Sequence, residues 1–453
     1  MSTEITSVPV LPQRPLSRAP IVLSWVLIVA LLGIVVYGNA RPGKGAPYDR
    51  FVSDQRARMF GMLVVQLKSL QKVNASAPIQ ERLDGLIRQM DEESVTPEDK
   101  IRAAILTGES RDTNAGLARL SSISGIENHP DAADDIRSIR TIYQDGADAL
   151  PPVSKDRLIR RHGYVGRLVL AHGIPPDREP QKTLQAEALW YVLRLSVLGF
   201  GLVILMVLSL GLFIGGCVWF SRGKIGRAYS AGASSGGTFL EGFALYLILF
   251  LGLGLLLRYL GPLSLQWTWM ALLILPAVYM WISLRGTTVE QLRQALGWHR
   301  GRGFLREVGA GLAGYVAGLV VIAIGCLVTV FLIRFSGVHA ASPIVQELNG
   351  GPWHLLGLYA IACVFAPVME ETMFRGVLFH HMRQRWGWAA SAVVVSFIFA
   401  MLHPQGWVAV PALGAIAVVL AALREWRGSL IAPVAAHACN NFAVLTLALI
   451  FLK

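Results

Sequence analysis

The sequence predicts an all-α protein: a multi-pass bundle of about nine membrane helices, with a soluble helical domain inserted after the first span. Three observations support this prediction. Of the 453 residues, 54% are hydrophobic and only 15% are charged, and the mean hydropathy is +0.51. This composition lies outside the range of ordinary soluble proteins. Long apolar runs recur along the chain, and most of the remaining sequence is one polar stretch, residues 41–187.

Residues 1–40 are predicted to form an N-terminal tail and a first transmembrane anchor. The run from Ile21 to Gly38 is apolar and long enough to cross a bilayer. Gly38-Asn39-Ala40 has some similarity to a signal-peptidase site. However, the apolar run exceeds that of a usual signal peptide, so we favour an anchor that is not cleaved.

Residues 41–187 have the composition of a soluble helical domain, with 22 Lys and Arg against 21 Asp and Glu. A capping residue, a proline and two acids from Thr96 to Asp99 predict a helix start. We find no catalytic constellation in this stretch. Its histidines, His129, His162 and His172, are interpreted as ordinary polar-face or capping residues. A binding or regulatory role is therefore the default hypothesis for this domain.

Residues 188–306 are predicted to hold transmembrane helices and basic loops, and residues 307–453 a second group of membrane helices. The apolar runs after the anchor cover roughly 189–218, 239–262, 266–284, 307–333, 354–382, 388–403, 407–423 and 429–452. Each is long enough, or nearly so, to span a bilayer. Together with the anchor they give nine spans.

Two short patterns between these runs predict local structure. Thr287 to Glu290 matches a capping box that opens a short amphipathic helix. We predict that this helix lies at the membrane interface, with Val289, Leu292 and Leu296 on one side, and that it ends at Gly297. Further on, the spacing Gly314-x-x-x-Gly318 predicts close contact between two helices.

The basic residues predict the orientation. Residues 188–453 hold 17 Lys and Arg against 7 Asp and Glu, so the net charge of +12 arises mainly in membrane loops and does not indicate a nucleic-acid partner. If every run spans once, all the basic loops lie on one side, which we expect to be the cytoplasmic side of a bacterial-type membrane. The domain at 41–187 and Lys453 then lie outside the cytoplasm. The four cysteines lack C-x-x-C spacing and support neither disulfides nor a thiolate metal site.

One apolar stretch, Ala366 to Gly376, contains three ionisable residues: Glu370, Glu371 and Arg375. On a helix, Glu371 and Arg375 are i,i+4 neighbours that can form an ion pair, whereas Glu370 points about 100° away. An ionisable group in a spanning segment costs at least ~2.5 kcal/mol on insertion scales. The stretch is therefore a candidate functional site, although an ion pair that only fixes helix packing would also explain two of the three groups.

Two later stretches supply groups that could converge on Glu370. His403 ends the sequence Phe399-Ala-Met-Leu-His403, and His437 and Asn441 lie four residues apart on one helix face. In order, E-E-x-x-x-R, F-x-x-x-H and H-x-x-x-N resemble the three motifs of the CAAX prenyl protease and bacteriocin-processing (CPBP) family of intramembrane proteases. The resemblance covers roughly the last 120 residues.

The resemblance implies an intramembrane endopeptidase that acts on a membrane-associated protein or peptide, with CAAX-type prenylated substrates as one option. It implies that Glu370 activates water with help from His403, that His437 and Asn441 stabilise the oxyanion, and that Glu371 and Arg375 are a supporting pair. The alternative from another class is a non-enzymatic transporter, scaffold or immunity protein that uses the same polar cavity. The helix lengths also allow a site that opens toward the cytoplasmic face.

The residue types permit two mechanisms with respect to metal. Glu370, His403 and His437 could furnish three ligands for Zn²⁺, with water in the fourth position. However, the site would then need another base, Asn441 is a poor zinc ligand, and the sequence lacks H-E-x-x-H. We therefore favour a glutamate-activated water with no obligatory metal, and keep Zn²⁺ with His403 and His437 as ligands as the second option.

Overall fold

The computed structural model describes residues 18–40, 47–73, 78–92, 94, 96–232, 235–260, 273–338, 347–348 and 350–452. Within these residues the regular elements are helices, and no strand occurs. The chain divides into two compact units. One comprises Gly43–Val203, and the other comprises Met1–Pro42 together with Ile204–Lys453.

The unit Gly43–Val203 is a helical bundle built around a central helix, α4. Its helix start agrees with the sequence: Thr96 is the N-cap, Pro97 lies in the first turn, and Asp99 completes a capping box. Ile101 and Leu106 of α4 are fully buried. The helices are α2 (Pro47–Val73), α3 (Ile79–Glu92), α4 (Pro97–Ser110), α5 (Thr113–Ser122), α6 (Pro130–Asp145), α7 (Pro152–Leu170) and the first part of α8 (Gln181–Ser221).

The interpretation of His162 as a polar-face residue is wrong, because its side chain is buried. Its Nε2 atom lies 3.1 Å from Oδ2 of Asp135, which is itself fully buried. Asp135 also pairs with Arg157 and Arg161, at 3.2 and 2.8 Å. A carboxylate from the neighbouring helix α6 thus provides a hydrogen-bond partner for the buried imidazole. The sequence alone does not reveal this partner, because it lies on another helix. His172, by contrast, is half-buried beside Glu109 at 2.8 Å.

We predict that His162 makes this unit sensitive to acid. Burial lowers the pKa of His162; the Asp135 carboxylate opposes this effect, and the Arg102 and Arg161 guanidinium groups add to it. The unfolded chain therefore binds this proton more readily than the folded chain, so stability falls as the pH drops through about 6.5, the ordinary pKa of histidine. Amide hydrogen exchange of α6 and α7, corrected for the intrinsic rate, should show a smaller loss of protection from pH 7.5 to 5 in His162→Gln than in the native protein.

The control for this experiment is His129→Gln, because His129 is exposed at the start of α6 and makes no capping bond through its side chain. This variant should respond to acid like the native protein. The hydrogen bond to Glu109 raises the pKa of His172, so His172 changes stability with pH in the opposite direction to His162. This contribution is the same in all three proteins and does not affect the comparison. Parallel losses of protection in His162→Gln and the native chain would contradict the prediction.

The second unit is a bundle of apolar helices, which defines an integral membrane protein. Seven helices of the described chain are long and apolar enough to span a bilayer, and two shorter apolar helices, α10 and α14, occupy the other two predicted spans. The predicted multi-pass bundle is thus confirmed, with nine as an approximate count. Part of the predicted span 266–284 lies outside the described residues. The helices are α1 (Ala19–Ala40), the end of α8, α9 (Thr238–Leu260), α10 (Ile274–Leu284), α11 (Val289–Leu296), α12 (Phe304–Ser336), α13 (Pro352–Arg383), α14 (Trp388–Met401), α15 (Val410–Arg427) and α16 (Ile431–Leu452).

The basic ends of these helices meet on one side of the bundle. Arg383, at the end of α13, pairs with Glu425 near the end of α15 at 2.9 Å. Arg427 pairs with Glu307 at the start of α12 at 2.7 Å, and the backbone of Ala228 bonds that of Trp426. We call this side, formed by residues 222–229, 285–307, 383–388 and 424–430, the basic face.

The short helix α11 begins one residue later than predicted. Thr288 is its N-cap and forms a capping box with Gln291, and Gly297 ends the helix as expected. Leu292 and Leu296 are buried in the protein core, whereas Val289 is 75% exposed. The helix therefore packs its leucines against the bundle, where Leu296 lies beside Gly376 of α13.

The prediction of close helix contact at Gly314 and Gly318 is confirmed. A Cβ added to Gly314 would lie 2.4 Å from Leu423 of α15, and one added to Gly318 would lie 2.5 Å from Val419. Any larger side chain at these positions of α12 would separate it from α15. Because the two glycines have no side chains, the two helices can approach each other closely.

Candidate active site

Helix α13 changes its winding on both sides of the candidate site. Its regular segment Ala366–Glu371 lies between two wide π-helical turns, Ile361–Phe365 and Thr372–Leu378. Pro367 contributes to the first turn, because it has no N–H to donate to the carbonyl four residues earlier. Single π turns inside α-helices occur frequently at functional sites.

Glu371 is fully buried and is bound on two sides. Its Oε1 atom accepts a hydrogen bond from Arg375 Nη1 at 3.0 Å, so the predicted i,i+4 pair is confirmed. The same oxygen lies 2.9 Å from Nδ1 of His437, on α16. Because a carboxylate only accepts, the imidazole proton lies on Nδ1. Arg375 in turn donates to the Ala417 carbonyl at 2.9 Å. Glu371 therefore orients His437 as well as pairing with Arg375.

Glu370 faces the other nitrogen of the same imidazole. Its Oε2 atom lies 3.8 Å from His437 Nε2 and makes no hydrogen bond although it is buried. The side chain as a whole is 21% exposed. The His437 ring is thus held between two carboxylates: Glu371, whose Oε1 is bonded to Arg375 and His437, and Glu370, whose Oε2 lies nearest to Nε2. Among the described residues, Oε2 of Glu371 also has no hydrogen-bond partner.

His403 follows the end of α14, where the helix stops at Met401. Its Nδ1 atom donates to the Phe399 carbonyl at 2.7 Å, which leaves Nε2 as the available nitrogen. Its own carbonyl accepts a hydrogen bond from Asn39 of α1 at 3.2 Å. In the described part of the chain, no hydrogen bond or ion pair joins His403 to Glu370 or His437.

The phenyl ring of Phe399 connects these groups. Its centroid lies 4.4 Å from that of His403 and 6.0 Å from that of His437. The Arg375 guanidinium lies 4.8 Å from the same ring. These residues therefore form two neighbouring groups: hydrogen-bonded Glu371, Arg375 and His437 with Glu370 3.8 Å from His437, and His403 across the aromatic ring.

Asn441, one turn beyond His437 on α16, uses its amide within the protein. Its Nδ2 atom donates to the Ala362 carbonyl, in the first wide turn of α13, at 2.8 Å. Its Oδ1 atom accepts from Asn440 at 3.2 Å. An amide nitrogen has two hydrogens, so one donor of Asn441 remains. The bond to Ala362 ties α16 to α13 beside Glu370.

The described residues include no group of three or more His, Cys, Asp and Glu side chains arranged to hold a metal ion. Glu370 and His437 approach each other, but Nδ1 of His437 is engaged by Glu371 and His403 lies beyond Phe399. The bonds at Nδ1 leave Nε2 of both histidines available, so Zn²⁺ with Glu370, His403 and His437 as ligands stays the second option, and a glutamate-activated water without an obligatory metal stays the favoured prediction. The reaction can be assigned to side chains of the protein alone.

The fold and the site together define an integral membrane protein with an ionisable cluster inside its helical bundle. Residues 352–443 match the family model of Rce1-like proteins, the type II CAAX prenyl endopeptidases. This segment includes α13, α14, α15 and much of α16, with all six predicted site residues. The resemblance to CPBP-type proteases is thereby confirmed for this segment, and the match supports a protease. No curated protein and no solved structure matches the chain.

Sequence reasoning missed three contributors to the site. The bond from Glu371 to His437 joins residues 66 positions apart, and the one from Asn39 to His403 joins residues 364 positions apart. Arg424 is the third: it is buried and donates to the carbonyls of Arg375 and Ala295, at 3.2 and 2.9 Å. In the sequence, the only signal for this role is an arginine near the end of an apolar run.

Gly297 makes room for Arg424, which gives a testable prediction. Gly297 has φ of +86°, and a Cβ there would lie 2.3 Å from Arg424 Nη1. Gly297→Ala should destabilise the protein by at least about 1 to 2 kcal/mol, the cost of left-handed backbone in other residues. The measurement is the thermal unfolding midpoint in detergent. Gly309→Ala is the control, since its Cβ would meet nothing within 4 Å; equal midpoints for the two variants would contradict the prediction.

Proposed function

We propose that the chain is an intramembrane endopeptidase that hydrolyses a peptide bond of a membrane-associated protein or peptide. The observation that supports it most strongly is the position of His437, between bound Glu371 and the available oxygen of Glu370. Peptide hydrolysis needs a base for water, groups that stabilise the oxyanion, and a proton for the leaving amine. The match of residues 352–443 to a protease family supports the same reaction.

In the proposed mechanism, Glu370 is the general base. It accepts a proton from a water molecule while the water oxygen bonds to the scissile carbonyl carbon, and the carbonyl oxygen becomes the oxyanion. The amide C–N bond then breaks, and the amine leaves with the proton that Glu370 had taken. The Oε2 atom of Glu370 supports this role, because no donor among the described residues bonds to it.

The remaining polar groups assist Glu370. His403 would accept a hydrogen bond from the attacking water through Nε2, since its Nδ1 is engaged. Asn441 has one amide hydrogen that it could donate to the oxyanion. His437, when protonated, would donate from Nε2, and Glu371 would balance its charge. Arg375 fixes Glu371 and takes no part in the chemistry.

The lengths of the helices support a site inside the membrane. Glu370 lies 13 residues before Arg383, about 20 Å at 1.5 Å per residue. Helix α14 has 14 residues, about 21 Å, against a hydrocarbon core of about 30 Å. The chain around His403 is thus irregular at membrane depth, which is tolerated only inside protein or beside water.

The experiment that tests the function is comparative proteomics of membrane peptides from cells that carry the native chain or Glu370→Ala. If the chain is a protease, some membrane proteins should lose a fragment only in cells that carry the native chain. The new termini of these proteins then identify the cleaved bond. A C-terminal prenylated CAAX protein is one candidate class, which the family match supports. Identical peptide profiles at equal expression would favour the non-enzymatic alternative, a transporter or scaffold.

We also propose a topology, in which the basic face is cytoplasmic, in a bacterial-type membrane, and residues 41–187 form a soluble extracytoplasmic domain with a binding or regulatory role. The gathering of basic helix ends on one side supports it. A tag inserted near Gly146 should react with an external membrane-impermeant label, and one near Gly301 should not. Protection of both tags would contradict the orientation of α1.

A further inference from the structure

We infer that water and substrate reach Glu370 from the side of the bundle opposite the basic face, the side on which α1 ends. This inference rests on the proposed function and adds to it the direction of access. It follows from three observations: the enclosure of one half of α13, the exposure of the other half, and the position of His403.

The half of α13 between Glu370 and the basic face is closed. All twelve residues from Glu371 to Met382 are buried. Twelve consecutive residues make more than three turns and point in every direction around the helix axis. This part of α13 is therefore enclosed by protein on all sides, and no open path runs along it from the basic face to Glu370.

Specific contacts hold this closed half together. His380 bonds Tyr229 at 2.8 Å and Gln384 at 3.0 Å. Nearer the site, Arg375 lies over Phe399 and binds the carbonyl of Ala417. His380 and Arg375 are thus bonded to other protein groups, as expected of a packed interior rather than a water channel.

Exposure begins at Glu370 itself. Its side chain is 21% exposed, and in the preceding turn, Ile361–Ala366, every residue is at least partly exposed, with Val364 at 54%. Beyond α14, His403 is half-buried and Pro404 is exposed. Asn441, on α16, is also half-buried. The side chains that would touch the substrate thus lie at the boundary between the enclosed and the open part of the bundle.

Helix α1 shows to which side this open part belongs. Near its start, Pro20 and Ser24 line a cavity of about 400 Å³ together with Arg285, which belongs to the basic face. Asn39 is the second-last residue of this 22-residue helix, about 30 Å further along its axis. Asn39 donates to the His403 carbonyl, so His403 lies at the level of the far end of α1.

This direction restricts the substrate class. The scissile bond must lie in the part of the bilayer remote from the basic loops, and with a cytoplasmic basic face that part is extracytoplasmic. The substrate would be a membrane-anchored protein or peptide that presents an unwound segment there. This direction replaces the opening toward the cytoplasmic face that the helix lengths also allowed, and with it the prenylated CAAX class of substrate, which a cytoplasmic opening would suit.

Thiol labelling from each side of the membrane tests the inference. Glu370→Cys is placed in a chain whose four native cysteines, Cys217, Cys326, Cys363 and Cys439, are replaced by alanine. Sealed vesicles of either orientation are treated with a charged, membrane-impermeant methanethiosulfonate. Two exposed positions of the unit that holds the site serve as references for the sides: Lys224→Cys for the basic face and Val338→Cys, two residues after the end of α12, for the other side.

We expect Glu370→Cys to be modified in the vesicles that modify Val338→Cys and not in those that modify Lys224→Cys. Gln405→Cys, in the segment after His403, should behave in the same way and covers the case in which Glu370→Cys does not fold. Modification from the Lys224 side, from both sides or from neither would overturn the inference. The assay needs no turnover, so a chain without protease activity would end the proposed function and still yield a result on access.

Discussion

Glu370→Gln should reduce the rate of peptide cleavage by about 10²- to 10⁴-fold, the usual contribution of a general base. Glutamine has nearly the same shape but cannot take a proton from water. The substitution leaves Glu371, Arg375 and His437 in their mutual contacts, and Oε2 of Glu370 has no hydrogen bond to lose. The unfolding midpoint should therefore stay close to that of the native protein.

The measurement is single-turnover cleavage by purified protein, with a membrane peptide found by the proteomic comparison. Glu290→Gln is a matched control, because Glu290 is an exposed carboxylate on α11 that pairs only with neighbours on its own helix. This variant should cleave at the native rate. If Glu370→Gln cleaves as fast as the control, Glu370 is not the base and the mechanism as written is wrong.

Arg375→Met should cause the largest loss of stability, about 3 to 5 kcal/mol, because it leaves the Glu371 carboxylate buried without its cation. Both side chains are fully buried, so water cannot replace the lost partner. The measurement is the free energy of unfolding in a detergent and denaturant series. Arg293→Met removes the exposed partner of Glu290 and should change stability by less than about 1 kcal/mol.

A double substitution separates the effect of the ion pair on stability from its effect on the cleavage rate. In Glu371→Gln with Arg375→Met, no buried charge is left without a partner, so the double variant should be more stable than the sum of the two single losses predicts. The carboxylate that orients His437 is still missing, so its cleavage rate should remain low. Strictly additive stability losses would show that Glu371 and Arg375 do not act as a pair.

The sequence allowed the local part of this site to be predicted. Glu371 and Arg375 are four residues apart, and helix geometry alone places them together. Apolar runs likewise predicted the bundle, because span length depends on the thickness of the bilayer. The bond between Glu371 and His437 depends on how α16 rotates and packs against α13, and no pattern within either helix encodes that rotation. The burial of His162 went unpredicted for the same reason.

The side from which Glu370 is reached could not be predicted from the sequence either. Helix lengths gave depths for Glu370 and His403 along the membrane normal, but depth says nothing about which end of a packed bundle is closed. That depends on side chains from several helices, such as Tyr229 against His380. It also depends on Asn39, which the sequence places in a stretch with some similarity to a signal-peptidase site, at the end of the predicted anchor.

The wide turn Thr372–Leu378 determines the angle between the residues inside it and the rest of α13. A π turn accommodates an extra residue within a helix, and in a regular helix each residue corresponds to about 100° of rotation. Deleting one residue from this turn could restore an unbroken α-helix, and because the turn absorbs its extra residue locally, Glu370 and Glu371 would keep their angle to the half of α13 that follows the turn. Residues inside the turn, such as Arg375, would instead change their angle to Glu371, so a deletion between the two should break their ion pair while the two halves of the helix stay in phase.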